Sequence, residues 1–296
     1  MRYNYKFFIL SGCICALLSA CELYNPTEPI PAYIHIDKIN VIKNPAGFPT
    51  IDGTEGSLSS KITDAWVYID EQFIGCFELP VTFPVLYEGT HQLKIRGGIK
   101  INGISATRAP YPFYEAYTQS IDLQKATRIT VSPNVMYRTN THFDLLEGFE
   151  NVGMLIDTTV NSDTTLKKIS APAQNVFEGL NSAIAYLDAN KTFFECATVN
   201  KYVLPVNSAD VFLEFNYKCN YPFTISVIAY GTGSPFLQQS VLGINASENW
   251  NKAYVYLTPN VSAAYNATNY KIAWGAVNNT GADSIAILFD NIKLVH

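Results

Sequence analysis

Apolar and polar side chains alternate along most of this chain. In the segment 33–42 (YIHIDKINVI) and in the segment 64–69 (DAWVYI), apolar residues recur at every second position. This spacing is typical of strands that bury one face. Turn residues over 70–72 and 88–90 separate further short strands. The pattern predicts antiparallel β-structure from residue 33 onward.

The alternation returns in the second half of the chain. In the segment 209–218 (ADVFLEFNYK), the odd-numbered positions 211 to 217 face one way and the even-numbered positions 212 to 218 face the other. Only the segment 165–177 is compatible with a helix longer than a turn or two, and Pro172 makes a long helix there unfavourable. We therefore expect an all-β protein, with a small β-sandwich domain over 33–140 and a second domain over 141–296.

The first twenty residues have a different character. Arg2 and Lys6 precede an uncharged apolar run, FFILSGCICALLSA, over 7–20. A membrane-spanning helix needs about 20 apolar residues, so this run fits the short apolar core of a secretory signal better. The sequence predicts that residues 1–20 are a signal peptide and that the proline-rich segment 21–32 is an extended tether.

Leu18, Ser19, Ala20 and Cys21 together resemble the lipobox of bacterial lipoproteins. The resemblance implies that the Cys21 thiol carries lipid, including palmitate-like acyl chains, and that Cys21 becomes the first mature residue. Two or more acyl chains give stable membrane anchoring. The expected location is the outer membrane, with the periplasmic and cell-surface faces both open. The alternative is an ordinary signal peptide in which Cys21 has no special role.

Charge and cysteine content narrow the function. The chain has 20 basic and 25 acidic residues, a net charge of −5, and it lacks the clustered basic face that nucleic-acid binding requires. Without residues 1–20 the net charge becomes −7. Cys196 and Cys219 lie in the same half of the chain and form a candidate disulfide. Cys76 lies in an apolar strand and is expected to be buried.

The segment 64–99 resembles the PEGA-type β-sandwich module. It carries V-Y-I-D followed by a turn, a later proline, and an E-G-x-H-x-L-x-I hairpin. Glu71 stands where that family usually has glycine. The resemblance implies a structural scaffold and no particular chemistry.

The segment 141–296 resembles a jelly-roll β-sandwich of the carbohydrate-binding-module type. The matching pieces are F-E at 149–150, E-F-x-Y-K at 214–218, W-x-K-x-x-V-x-L at 250–257 and F-D-N-I-K-L at 289–294. The resemblance implies a non-catalytic domain that holds sugars on exposed aromatic rings. The candidate ligand-binding residues are Trp250, Trp274, Tyr217 and Tyr230. Packing in the core is the alternative for both tryptophans, and the one we favour.

The same resemblance implies a structural Ca²⁺ ion between the first and last strands of the jelly roll. The matching carboxylates are Glu150 and Asp290, and Ca²⁺ requires six to eight oxygen ligands. The alternative is that Glu150 is a solvated charge and Asp290 a turn former. No other cofactor is expected.

A third candidate surface lies in the segment 98–117. It combines a cationic residue and several aromatic residues around two prolines, and residues of these types anchor protein interfaces. The candidate interface residues are Arg108, Tyr111, Phe113, Tyr114 and Tyr117. The alternative is that these aromatics close the first sandwich.

Motifs for catalysis are absent from the sequence. The four histidines stand far apart, and there is no G-x-S-x-G or phosphate-binding loop. The chain as a whole resembles a Bacteroidota-type outer-membrane lipoprotein. The leading hypothesis is a non-catalytic, lipid-anchored cell-envelope protein that presents its β-sandwich domains to a protein partner. The alternative is a lipoprotein that binds glycans through its jelly roll.

Overall fold

The computed structural model describes residues 28–49, 53–232, 235–264 and 266–296. The predicted signal peptide 1–20, the lipidation site Cys21 and the tether up to residue 27 lie outside the described residues. Within the described ranges, no helix is long and apolar enough to cross a membrane.

The first half of the chain forms a two-layer β-sandwich. Its strands are β1 (Ala32–Ile36), β2 (Asn40–Val41), β3 (Asp64–Ile69), β4 (Gln72–Glu78), β5 (Val81–Val85), β6 (Gly89–Lys100), β7 (Arg108–Pro110), β8 (Tyr117–Leu123), β9 (Arg128–Val131) and β10 (Asn134–Val135). One sheet has the order β4-β3-β6, and β8 and β7 pair with successive parts of the free edge of β6. The other has the order β5-β1-β9, with β2 and β10 paired beside it. We call this half the first unit.

The turn between β3 and β4 follows the sequence prediction. Asp70 and Glu71 both have positive φ, 49° and 63°, as a two-residue hairpin turn requires. The Asp70 carboxylate accepts hydrogen bonds from the backbone N–H of Gln92 (2.9 Å) and contacts Nδ1 of His91 (2.6 Å). These hydrogen bonds lower the pKa of Asp70, and the bond to Asp70 raises the pKa of His91. His91 is therefore structural.

The second half forms a jelly-roll β-sandwich, here called the second unit. Its elements are β11 (Phe143–Glu147), β12 (Ile156–Thr158), β13 (Lys167–Ile169), β14 (Ser182–Leu187), β15 (Phe193–Thr198), β16 (Phe212–Cys219), β17 (Phe223–Tyr230), β18 (Pro235–Ile244), β19 (Ser247–Tyr256), α1 (Thr258–Ala263), β20 (Asn269–Val277) and β21 (Ile285–Val295). The segment 165–177 contains β13 and one 3₁₀ turn, so Pro172 does prevent a long helix there.

The second unit has two sheets, and the chain crosses between them repeatedly. The six-stranded sheet has the order β13-β14-β21-β16-β19, with β11 beside the second half of β21. The five-stranded sheet has the order β12-β15-β20-β17-β18. Trp274, Phe215 and Phe289 meet in the core between them, with ring centroids 6.2 to 6.3 Å apart. The predicted all-β fold, a small sandwich followed by a jelly roll, is confirmed.

The two units share an apolar junction. Tyr111 of the first unit contacts Phe212 and Tyr254 of the second edge-on, at ring-centroid distances of 5.3 and 5.1 Å. Phe113 and Tyr114 are buried beside it. Three of the five candidate interface residues therefore pack inside the chain, and each such ring pair contributes about 0.5–1.5 kcal/mol beyond area burial.

The predictions for Cys76, Cys196 and Cys219 are wrong. Cys196 lies on β15 in one sheet and Cys219 on β16 in the other, and both thiols are free and buried. Facing sheets pack about 10 Å apart, whereas a disulfide needs Cα atoms within about 7 Å. Cys76 is exposed and also free, because it pairs with Trp66 on the face opposite to the core residues Ala65 and Val67.

Candidate functional site

The outer face of the five-stranded sheet carries an open recess of about 440 Å³. Trp274 and Ile225 point into the sandwich core, so their strand neighbours face outward. On β20 these neighbours are Ala273 and Gly275, and on β17 one of them is Ser226. Small side chains therefore form the floor, which leaves space above the backbone.

Aromatic side chains form the walls of the recess. Phe193 stands at the start of β15, and Tyr221 stands in the turn before β17. Both are half-buried, so part of each side chain is open to solvent. The Tyr221 hydroxyl donates a hydrogen bond to Oδ1 of Asn279 at 2.8 Å, which fixes the orientation of the ring.

Polar groups with fixed positions complete the recess. Glu195 accepts hydrogen bonds from the Thr159 hydroxyl (2.9 Å) and from Nε2 of Gln238 (3.0 Å). Gln238 lies on β18, so its side chain reaches across β17 and β20 to Glu195 on β15. The exposed amides of Asn245 and Asn279 also line the recess. Carboxylate and amide groups held in this way can hydrogen-bond sugar hydroxyls.

The predicted ligand-binding residues do not meet at one surface. Trp274 is 1% exposed and Tyr217 8% exposed, because both point into the jelly-roll core. Trp250 is half-buried on β19 of the other sheet and packs on Phe177 at 5.4 Å. Only Tyr230 lies on the outer face of the five-stranded sheet, with Nζ of Lys201 4.0 Å from its ring centroid. The tryptophan platform is therefore wrong, and the favoured core alternative holds for Trp274.

Sequence reasoning missed the residues that line the recess. The sequence did contain one signal, which is that small residues alternate with core residues on two strands. These small residues are Ala273 and Gly275 on β20, and Thr224 and Ser226 on β17. Small residues on an outward strand face are typical of a place where another molecule approaches closely. Nothing in the sequence indicated that Phe193 and Tyr221 line a recess, because the residues around an aromatic side chain in the sequence do not show whether it lies at the surface or in the core.

Glu150 and Asp290 bind the same turn, 177–182, through hydrogen bonds. Oε1 of Glu150 accepts the backbone N–H groups of Leu180 and Asn181, each at 2.9 Å. Oδ2 of Asp290 accepts the Ser182 hydroxyl at 2.6 Å, and burial raises the pKa of Asp290 to about 6. Donors occupy these oxygens, and the described residues contain no group of three His, Cys, Asp or Glu side chains that could hold a metal. A calcium ion bound by Glu150 and Asp290 would compete with these hydrogen bonds, and the calcium site stays a prediction.

Comparison with known proteins gives structural likeness alone. No family model matches the chain, and no curated protein matches it. Among solved structures, it is similar to TmCBM61 in complex with β-1,4-galactotriose, with 16% identity over 50% of this chain and 92% of that chain and a TM-score of 0.33.

Two further solved structures are each similar over about half of the chain. They are a family 11 carbohydrate-binding module of a Clostridium thermocellum cellulase (14% identity, 52% and 94% covered, TM-score 0.36) and a cyclase from Fischerella (13%, 53% and 97%, 0.39). At these identities and TM-scores, the assignment of the fold rests on the strand order described above.

Proposed function

We propose that this protein is a non-catalytic glycan-binding protein of the cell envelope, held to the outer membrane by lipid on Cys21. The observation that carries the proposal is the open recess with a floor of small residues and half-exposed aromatic walls. Its volume of about 440 Å³ lies in the range of about 300–1,000 Å³ that is usual for ligand sites.

The chemistry of the recess suits a sugar. The C–H groups of a pyranose face pack on aromatic rings such as Phe193 and Tyr221. The ring hydroxyls need donors and acceptors at the rim, which Glu195, Asn245 and Asn279 supply. An open recess admits part of a long chain, whereas a closed cavity admits only a small molecule. A polysaccharide segment is therefore the ligand class that fits best.

The recess favours binding over hydrolysis. Glycoside hydrolysis uses two carboxyl groups that flank the scissile bond. Among the described residues that line the recess, Glu195 is the one carboxylate, and hydrogen bonds from Thr159 and Gln238 already hold it. Both hydrolytic mechanisms require a second carboxylate. The described residues that line the recess do not include one.

The rival hypothesis, a protein partner bound through the segment 98–117, has less support. Tyr111, Phe113 and Tyr114 are buried in the junction between the two units, so they are not free to anchor a partner. Arg108 is held by Asp64 at 2.6 Å. Four of the five candidate interface residues therefore make their contacts within the chain.

Glycan binding is tested with the whole chain on a glycan array and in affinity gels. We expect saturable binding to at least one polysaccharide class. Phe193→Ala and Tyr221→Ala should each weaken it by about tenfold, which corresponds to one lost aromatic contact. Ser226→Tyr fills the floor and should abolish binding.

Ser120→Tyr is the matched control, because Ser120 is an exposed residue of β8 in the first unit. Binding that is unchanged by Ser226→Tyr would rule out the recess. Anchoring is tested separately. Cys21→Ala should release the protein from the membrane fraction and remove incorporation of labelled palmitate, and retention of both would refute the lipid anchor.

A further inference from the structure

A second cavity of about 180 Å³ lies where the two units meet. The first unit lines it with Lys61, Asn102 and Gly103, and the second unit lines it from β18 and β19. The segment 243–245 lines both this cavity and the recess. The recess and the junction cavity therefore lie on either side of the hairpin between β18 and β19.

Three lysines line the junction cavity and the smaller pocket beside it. The smaller pocket has a volume of about 50 Å³, and Lys61, Gly103 and Lys252 line both spaces. Lys100 and Thr63 complete the lining of the smaller pocket together with Tyr254. We call the larger and smaller spaces together the lysine cleft. Such a cluster stands out in a chain whose net charge is −5.

Positive charge in the lysine cleft is only partly neutralised. Nζ of Lys61 donates to the neutral Oδ1 of Asn251 at 2.5 Å. Burial and then the charge of Lys100 lower the pKa of Lys61. Lys100 pairs with Glu78 at 3.1 Å.

Lys252 is the deepest cation of the cleft. Its side chain is 2% exposed, and Nζ makes one ion-pair contact, 3.0 Å from Oε2 of Glu214, at angles that do not form a hydrogen bond. That carboxylate also accepts hydrogen bonds from Tyr111 and Tyr137. The charge of Lys252 is therefore compensated by Glu214, and the cations that an entering group can reach are the exposed Lys61 and the partly exposed Lys100.

We propose that the lysine cleft binds the carboxylate or sulfate group of an acidic sugar whose neighbouring sugar units occupy the recess. This inference rests on the proposed function and names its ligand class, an acidic polysaccharide. Ammonium groups make short, charge-assisted hydrogen bonds to such oxygens, and the neutral amide of Asn251 adds a donor in the same lining. A neutral glycan would gain nothing from the charge of Lys61, whose side-chain partner is the neutral amide of Asn251.

The test compares two oligosaccharides of the same linkage and length, one neutral and one carrying uronate or sulfate groups, by calorimetric titration of the whole chain. We expect the acidic form to bind at least about tenfold more tightly. Its affinity should fall as salt is added, because screening weakens charge contacts. Equal affinities for the two forms would overturn the inference.

Lys61→Gln and Lys100→Gln locate the effect. Each should weaken binding of the acidic form by about tenfold and leave the neutral form unchanged. Lys167→Gln removes the same charge from an exposed position on β13 and is the matched control. Melting temperatures of all three variants confirm folding. If Lys61→Gln and Lys100→Gln bind the acidic form as the unaltered chain does, the inference fails.

The two proposals fail in different ways. Loss of all glycan binding by Ser226→Tyr, together with lysine variants that bind normally, keeps the proposed function and overturns the acidic ligand. Acidic binding that depends on the lysines but survives Ser226→Tyr overturns the recess as the glycan site.

Discussion

Glu214 is the polar centre of the junction between the two units. It is fully buried, and its Oε1 accepts hydrogen bonds from the hydroxyls of Tyr111 (2.6 Å) and Tyr137 (2.8 Å). Lys252 lies 3.0 Å from Oε2. Burial opposes ionisation of Glu214, but Lys252 and Lys293 outweigh it and hold the pKa of Glu214 below its ordinary value.

Glu214→Gln keeps the size of this side chain and removes its charge. The two tyrosines retain one oxygen acceptor, but Lys252 is left buried without a counter-charge. Removing one partner of a buried ion pair costs about 3–5 kcal/mol. Because the remaining hydrogen bonds offset part of this, we expect the free energy of unfolding to fall by about 3 kcal/mol. That is a large share of the roughly 5–15 kcal/mol typical of folded proteins.

Urea unfolding followed by tryptophan fluorescence measures this loss. Glu248→Gln is the matched control, since Glu248 is exposed and such surface changes stay within about 0.5 kcal/mol. Adding Lys252→Met to Glu214→Gln should restore part of the loss, because the uncompensated cation is removed. A loss below about 1 kcal/mol in Glu214→Gln would show that the junction does not hold a buried ion pair.

Three further predictions concern titration, thiols and calcium. Burial lowers the pKa of Lys293 to about 7, below its ordinary value of 10.5, so the unfolded chain binds more protons between these values. The free energy of unfolding should therefore rise between about pH 7 and pH 8.5, by at most about 1.4 kcal/mol per pH unit. In Lys293→Met, the free energy of unfolding measured with urea should no longer rise with pH over this range. If it rises as steeply as in the unaltered chain, a group other than Lys293 causes the rise. A thiol reagent should label Cys76 in the native protein but Cys196 and Cys219 only after unfolding, and a mass two hydrogens lighter would instead reveal a disulfide. Saturating calcium should leave the melting temperature unchanged, whereas a rise of several degrees would establish a metal site.

Local patterns in the sequence determined the class of fold. The period of two fixed most strands, and the Asp70–Glu71 turn fixed the first hairpin. Pro172 correctly excluded a long helix. These features depend on residues close together in the chain, so the sequence by itself carries them.

β16 shows what the sequence left undecided. Its alternation was read correctly, with Leu213 and Phe215 on one face and Phe212 and Glu214 on the other. Both faces are buried, however, because the first unit covers the second face. A period of two separates two faces without saying what packs on either.

Only the tertiary structure decided which aromatics and carboxylates form sites. Trp274 is buried in the core and Tyr111 in the junction, whereas Phe193 and Tyr221 stand beside an open recess. The lysine cleft joins Lys61 to residues almost two hundred positions later in the chain. The physical reason is that burial depends on how sheets pack on one another, and this packing joins residues that no local pattern relates.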